Sequence, residues 1–123
     1  MTTTMRATLR VLAAAFPLLA HHSILPFDGT HPTTLTGVVT KFEWLSPHTY
    51  IYMDVRNEKD NVERWAIESE SPILLQRLGW TKDSMKPGDR ITITGGRARN
   101  GARIVRCKVV ELTGGRKLPC FPE

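Results

Sequence analysis

Residues 34–55, TLTGVVTKFEWLSPHTYIYMDV, decide how this chain folds. From Thr49 to Arg56 the pattern alternates cleanly: Ile51, Met53 and Val55 fall on one face, Tyr50, Tyr52 and Asp54 on the other. That two-residue period is a strand with one dry side and one wet side. From Thr34 to about Trp44 the alternation slips, because Leu35 and Val39 belong to one phase and Phe42 and Trp44 to the other. A slip near Gly37 predicts a bulge in a strongly coiled strand. Ser46-Pro47-His48 is the corner between the two strands.

Working outward, Asn57 to Asn61 is a polar turn, and Val62 to Glu68 is a third strand that points Trp65 and Ile67 inward. Ser71 can cap a helix, Pro72 suits its first position, and Leu74, Leu75 and Leu78 form a stripe that stops at Gly79. The helix is barely two turns long, and Trp80 is expected beside it as a plug for the barrel end. Lys86-Pro87-Gly88-Asp89 turns the chain into a fourth strand, Arg90 to Gly95, with Ile91 and Ile93 inward. A basic loop, Gly96 to Gly101, ends in an Asn100-Gly101 turn and leads to a fifth strand, Arg103 to Leu112. Three strands, one short helix and two strands is the element order of an OB-fold. The expected class is therefore mainly β, a small five-stranded OB-fold-like Greek-key barrel with one short helix between strands three and four. An open β-sandwich of the same strands is the rival.

The beginning of the chain differs in kind. Arg6 and Arg10 precede an apolar run from Val11 to Leu19, a small residue follows at Ala20, and the first carboxylate is Asp28. Basic leader, short apolar run and small residue make a secretory signal pattern, too short to span a bilayer. A buried N-terminal helix is the alternative, and Ala15 is a second place for the cut. The chain thus divides into a signal peptide at 1–20, an N-terminal arm at 21–33, a barrel domain at 34–113 and a C-terminal tail at 114–123. The expected compartment is the bacterial periplasm or the exterior.

A length of 123 residues allows one domain. The formal charge of +5 loses the two charges of Arg6 and Arg10 on cleavage, and the bias that remains does not argue for nucleic acid. No transmembrane segment is expected once the leader is removed, and the protein reads as a monomer. Cys107 and Cys120 are the only cysteines. An oxidising compartment permits a disulfide that pins the Pro-rich tail to the last strand. Alternatively Cys107 is a buried small hydrophobe, sharing one strand face with Val105 and Val109.

Several short motifs together resemble a known family. They are His21-His22-Ser23, Phe27-Asp28, Leu35-Thr36-Gly37, Glu43-Trp44-x-x-Pro47-His48, Trp65-Ala66-Ile67-Glu68, Gly79-Trp80 and Lys86-Pro87-Gly88-Asp89. The chain resembles a family of small exported bacterial proteins of unknown function (domain of unknown function 6152). The resemblance implies an OB-like periplasmic domain without an assigned activity. Ser46 stands where the family pattern has asparagine before Pro-His, and the Pro-Cys-Phe-Pro tail is longer than usual.

The chemistry-bearing residues are the histidines, His21, His22, His31 and His48, all in the first half of the chain. After cleavage at Ala20, the α-amine and imidazole of His21 chelate one metal together, and a third nitrogen completes a T-shaped set suited to Cu(II). His48 is the natural third ligand, with His22 or His31 as substitutes. Such a site needs neutral imidazoles and weakens in acid, below about pH 6. The plain alternative is a solvated terminal pair and a turn-fixing His48. No zinc-site spacing and no nucleophile motif is present, so the protein is not expected to be an enzyme. The second functional reading is a binding or accessory module for a protein partner or a small anionic ligand. Its surface would combine Trp44, Tyr50 and Tyr52 with Arg97, Arg99 and Arg103.

Overall fold

Strand β1 (Thr33–Glu43) is long because it serves two partners, β2 (Tyr50–Arg56) and β4 (Arg90–Arg97). In this computed structural model, which describes residues 26–122, its first half pairs with β4 from Thr33 to Val38. Its second half pairs with β2 from Val38 to Glu43. The handover requires close backbone contact at Gly37, where a Cβ would stand 2.1 Å from the Asp54 carbonyl oxygen. Only glycine fits there. The expected bulge lies three residues later: the register shifts between Val39 and Lys41, leaving Thr40 as the extra residue. That insertion moves the inward phase from Val39 to Phe42.

Strand β3 (Val62–Glu68) follows β2 in a hairpin and keeps Trp65 and Ile67 buried. Helix α1 (Pro72–Arg77) starts as its residues dictate: the Ser71 hydroxyl accepts from the Leu74 amide at 3.4 Å and Pro72 opens the first turn. Of its leucines, Leu75 is fully buried. Asp89 then closes the turn into β4 by accepting from the Lys86 amide at 2.9 Å and its ammonium at 2.7 Å. The sheet order is β3-β2-β1-β4-β5, where β5 is Ile104–Glu111. A short parallel ladder between β3 and β5, from Ala66–Ile104 to Glu68–Arg106, closes it into a barrel. The closure excludes the open sandwich. Among the described residues no helix is long and apolar enough to cross a membrane.

Two features depart from the expected pattern. Cys107 and Val105 are buried, but the next inward residue of β5 is Val110 and not Val109. The reason is a second bulge: Thr94 pairs with Val109 and Gly95 with Cys107, so Lys108 is an extra residue that inverts the phase. The tail, in turn, forms a sixth strand, β6 (Lys117–Pro119), antiparallel to β5. Cys107 and Cys120 are joined in a disulfide beside it. Trp80, expected as a plug for the barrel end, is itself core at 1% exposure, and its indole N–H donates to the Pro119 carbonyl at 2.8 Å. The tail is therefore part of the fold.

The N-terminal arm is tied to β4 and the loop after it. Asp28 N–H donates to Arg97 O and Arg99 N–H to Pro26 O, each at 2.9 Å, around a Phe27–Ala98 bridge. The proposed leader at 1–20, together with His21 and His22, lies outside the described residues.

These contacts set two expectations. Gly37→Ala forces the β1–β2 contact apart and should destabilise the barrel by at least about 3 kcal/mol in urea unfolding. Trp80→Phe removes the bond to β6 and leaves a void where the indole's second ring stood, and the same measurement should show a loss of about 1–3 kcal/mol.

Candidate functional site

His48 sits at the β1–β2 corner, and the corner is held from beneath. Thr49 and Ser69 are both fully buried; Ser69 N–H donates to Thr49 O at 2.9 Å and Thr49 N–H to Glu70 O at 3.1 Å. The Ser46–Pro47 peptide is cis. The imidazole is partly exposed at 38%, with Nδ1 lying 3.1 Å from the Ser69 carbonyl oxygen and 3.6 Å from Glu68 Oε1. A carbonyl oxygen can only accept, so Nδ1 carries the proton and the lone pair of the neutral ring is on Nε2. No described residue bonds to Nε2.

Arg106 of β5 organises the carboxylates behind this ring. Its guanidinium donates to Glu68 Oε1 at 3.1 Å, to the Ser69 carbonyl at 3.3 Å and to Glu70 Oε1, and it lies 5.0 Å from the centre of the Phe121 ring. Two carboxylates against one guanidinium leave one negative charge next to His48, which favours a cation there. Across the β2–β3 ladder from Glu68, burial raises the Tyr50 hydroxyl pKa above its usual value and the Glu68 charge adds to the shift.

A second histidine–carboxylate pair lies on the arm. Asp28 accepts from the Thr30 hydroxyl at 2.7 Å and the Thr30 amide at 2.9 Å, and its Oδ2 is 3.1 Å from His31 Nδ1. The Thr30 bonds first, then those of His31, hold its carboxyl well below the usual range. His31 stands in solvent, 86% exposed, over an open cleft shared with Arg99. Among the described residues no three His, Cys, Asp or Glu side chains form a group that could hold a metal.

The proposed partner surface is divided by the fold. Tyr50 and Tyr52 stack on the outer face of β2, with centroids 6.1 Å apart. Tyr52 and Arg103 share a cleft with Lys41, Glu43, Arg64 and Ala66. Trp44, partly buried, packs against the core beside Phe42, at 5.8 Å. Arg97 lies 4.9 Å over the Trp65 ring and donates to Gly101 O at 2.8 Å, while Arg99 faces the arm. Glu68 and Glu70 read in the sequence as solvated charges, and their grouping with Arg106 escaped it because nothing local shows that β3 lies beside β5. The only signal was the pair of acids two residues apart at the strand end.

With the corner described, the likeness to other proteins can be placed. A family model matches residues 8–106, and its description is Family of unknown function (DUF6152). The chain belongs to this family. The match runs through both histidine-bearing stretches and all five barrel strands up to Arg106. No curated protein matches it.

Two measurements check the corner and the arm. Arg106→Met leaves Glu68 and Glu70 partly buried without their cation, and unfolding at neutral pH should show a loss of about 1–3 kcal/mol. For Asp28, a carboxyl lowered by native hydrogen bonds stabilises the arm turn above the unfolded pKa, and that contribution is lost as pH falls through the folded one. Carboxyl-carbon NMR should accordingly place its midpoint below the ordinary 3.8, whereas an ordinary midpoint would mean that the turn does not persist in solution.

Proposed function

We propose that the protein is an exported, non-catalytic transition-metal carrier that holds Cu(II) with the amine and imidazole of a processed N-terminal His21 and with Nε2 of His48. The observation that supports this reading is the tethering of the His48 ring. Metal-bound histidines commonly donate their second N–H to a carbonyl or carboxylate, which fixes the ring and raises the basicity of the ligating nitrogen. His48 has both partners on Nδ1, Ser69 O and Glu68, and the surplus negative charge of the Glu68–Arg106–Glu70 group lies behind it.

The position of the arm is compatible with the ligand set. It joins the barrel at Phe27–Ala98; Ala98 is bonded to Ile104, and Ile104 pairs with Ala66 of β3. Neighbouring strands are about 4.8 Å apart, and the five residues 21–25 can span roughly 17 Å when extended. A terminal imidazole is thus within chain reach of the β3 wall that supports His48. Cu(II) is the ion that an amine-plus-imidazole set selects among the divalent first-row metals.

The test compares protein beginning at His21 with the same protein carrying one extra N-terminal residue, both titrated with Cu(II) and followed by electron paramagnetic resonance. The His21 form should bind with nitrogen hyperfine structure, and the extended form should lose that signal. His48→Ala and Glu68→Gln should each weaken binding by roughly 10–100-fold. Equal, weak binding by all four proteins would reject the reading.

A further inference from the structure

Charge is distributed unevenly along this chain. Residues 26–70 hold four lysines and arginines against eight carboxylates, whereas residues 71–123 hold eleven against four. The seam and one turn use part of the later excess: Arg103 pairs with Glu63, Arg106 with Glu68 and Glu70, and Lys86 with Asp89. Among the described residues no ion pair joins Arg77, Lys82, Arg116 or Lys117 to a carboxylate, and all four are exposed.

The fold brings these four together at the α1 end of the barrel. Arg116 donates to the Gly79 carbonyl at 3.5 Å and the Trp80 indole to the Pro119 carbonyl at 2.8 Å, so the chain leaving α1 is stitched to the start and end of β6. Arg77 is the last residue of α1 and Lys82 lies just past Trp80. The carboxylates of these segments are Asp83 and Glu111, the latter in register with Lys117. Four cations against two acids leave this end positive. Ile73 stands on the same helix at 66% exposure, the most exposed large hydrophobic side chain among the described residues. It precedes Arg77 by four residues, one helical turn, so an apolar and a cationic group share the outer side of α1 while Leu75 faces the core. The carboxylate just before the helix, Glu70, is turned to Arg106.

The partner that suits this end follows from both features. A small anion is held by donors fixed in one geometry, whereas these cations are long side chains on turns and at a helix end. A soluble polyanion would pair with them but would leave Ile73 in water. A bilayer of anionic lipids meets both needs, because its head groups carry the negative charge and its interface takes up an apolar side chain. Each lysine or arginine brought against such a surface strengthens binding roughly fivefold, an effect that salt screens.

We propose that the α1 end of the barrel docks reversibly on an anionic lipid bilayer, with Arg77, Lys82, Arg116 and Lys117 against the head groups and Ile73 in the interface. Protein beginning at His21 lacks the apolar run 11–19, which would itself partition into lipid. It is sedimented with vesicles of mixed phosphatidylglycerol and phosphatidylcholine, and with vesicles of phosphatidylcholine alone, at about 50 and about 500 mM salt. The anionic vesicles alone should bind it, at least about tenfold more weakly at the higher salt. The double variant Arg77→Glu, Lys117→Glu should lower that binding at least about twentyfold and Ile73→Gln about fivefold. These side chains are exposed, so urea unfolding should be unchanged and the losses assigned to the surface. No binding, equal binding to both kinds of vesicle, either variant binding like the parent, or binding of heparin without binding of vesicles would overturn the proposal. Neither a metal nor His48 enters this measurement, so its outcome is independent of the metal reading.

Discussion

The parallel ladder between β3 and β5 is the constraint on which this protein depends. Only three residue pairs form it, Ala66–Ile104, Ile67–Val105 and Glu68–Arg106, yet they turn an open sheet into a closed barrel. Parallel pairing joins segments distant in sequence, so its loop-closure cost has to be met by burial elsewhere. Ile67, Val105 and Cys107 become fully buried on the inside of this seam. On the outside, Arg106 locks the seam to Glu68, Glu70 and the Ser69 carbonyl.

Both candidate sites follow from that seam. One end of it places Glu68 and Ser69 beside His48, where they hold Nδ1 of the imidazole. Its other end places Ala66 beside Arg103 and opposite Tyr52, in the cleft that Lys41, Glu43 and Arg64 also line. A barrel left open at β3–β5 would keep the hairpin of β2 and β3 but would have neither the carboxylate–arginine group nor the far wall of the cleft. The last residues contribute too, because Phe121 covers the Arg106 guanidinium and β6 accepts the Trp80 indole proton.

Local pattern made the fold legible because each signal depends on a few neighbouring residues. The alternation of Ile51, Met53 and Val55, the Ser71-Pro72 helix start and the Lys86 to Asp89 turn need nothing from the rest of the chain. The slip between Val39 and Phe42 also declared itself, since a bulge changes the phase of the strand that contains it. The bulge at Lys108 was harder to see: Val109 and Val110 are both valine, so either phase of β5 is equally apolar, and only pairing with Thr94 and Gly95 selects Val110 for the core. The three-residue β6 is too short to show any period at all.

For the sites the division is sharper. Sequence alone determined the barrel class, the helix position, the histidines available as ligands and the family to which the chain belongs, because these rest on residue type and near spacing. Tertiary structure alone decided that Arg106 stands behind His48, that Trp44 packs on the core, and that the arginines of the loop are divided between Trp65, Glu63 and the arm. The physical reason is that a side chain's charge partner is set by strand pairing. In this barrel the decisive pairing joins residues 66–68 to 104–106, far beyond the reach of any local pattern.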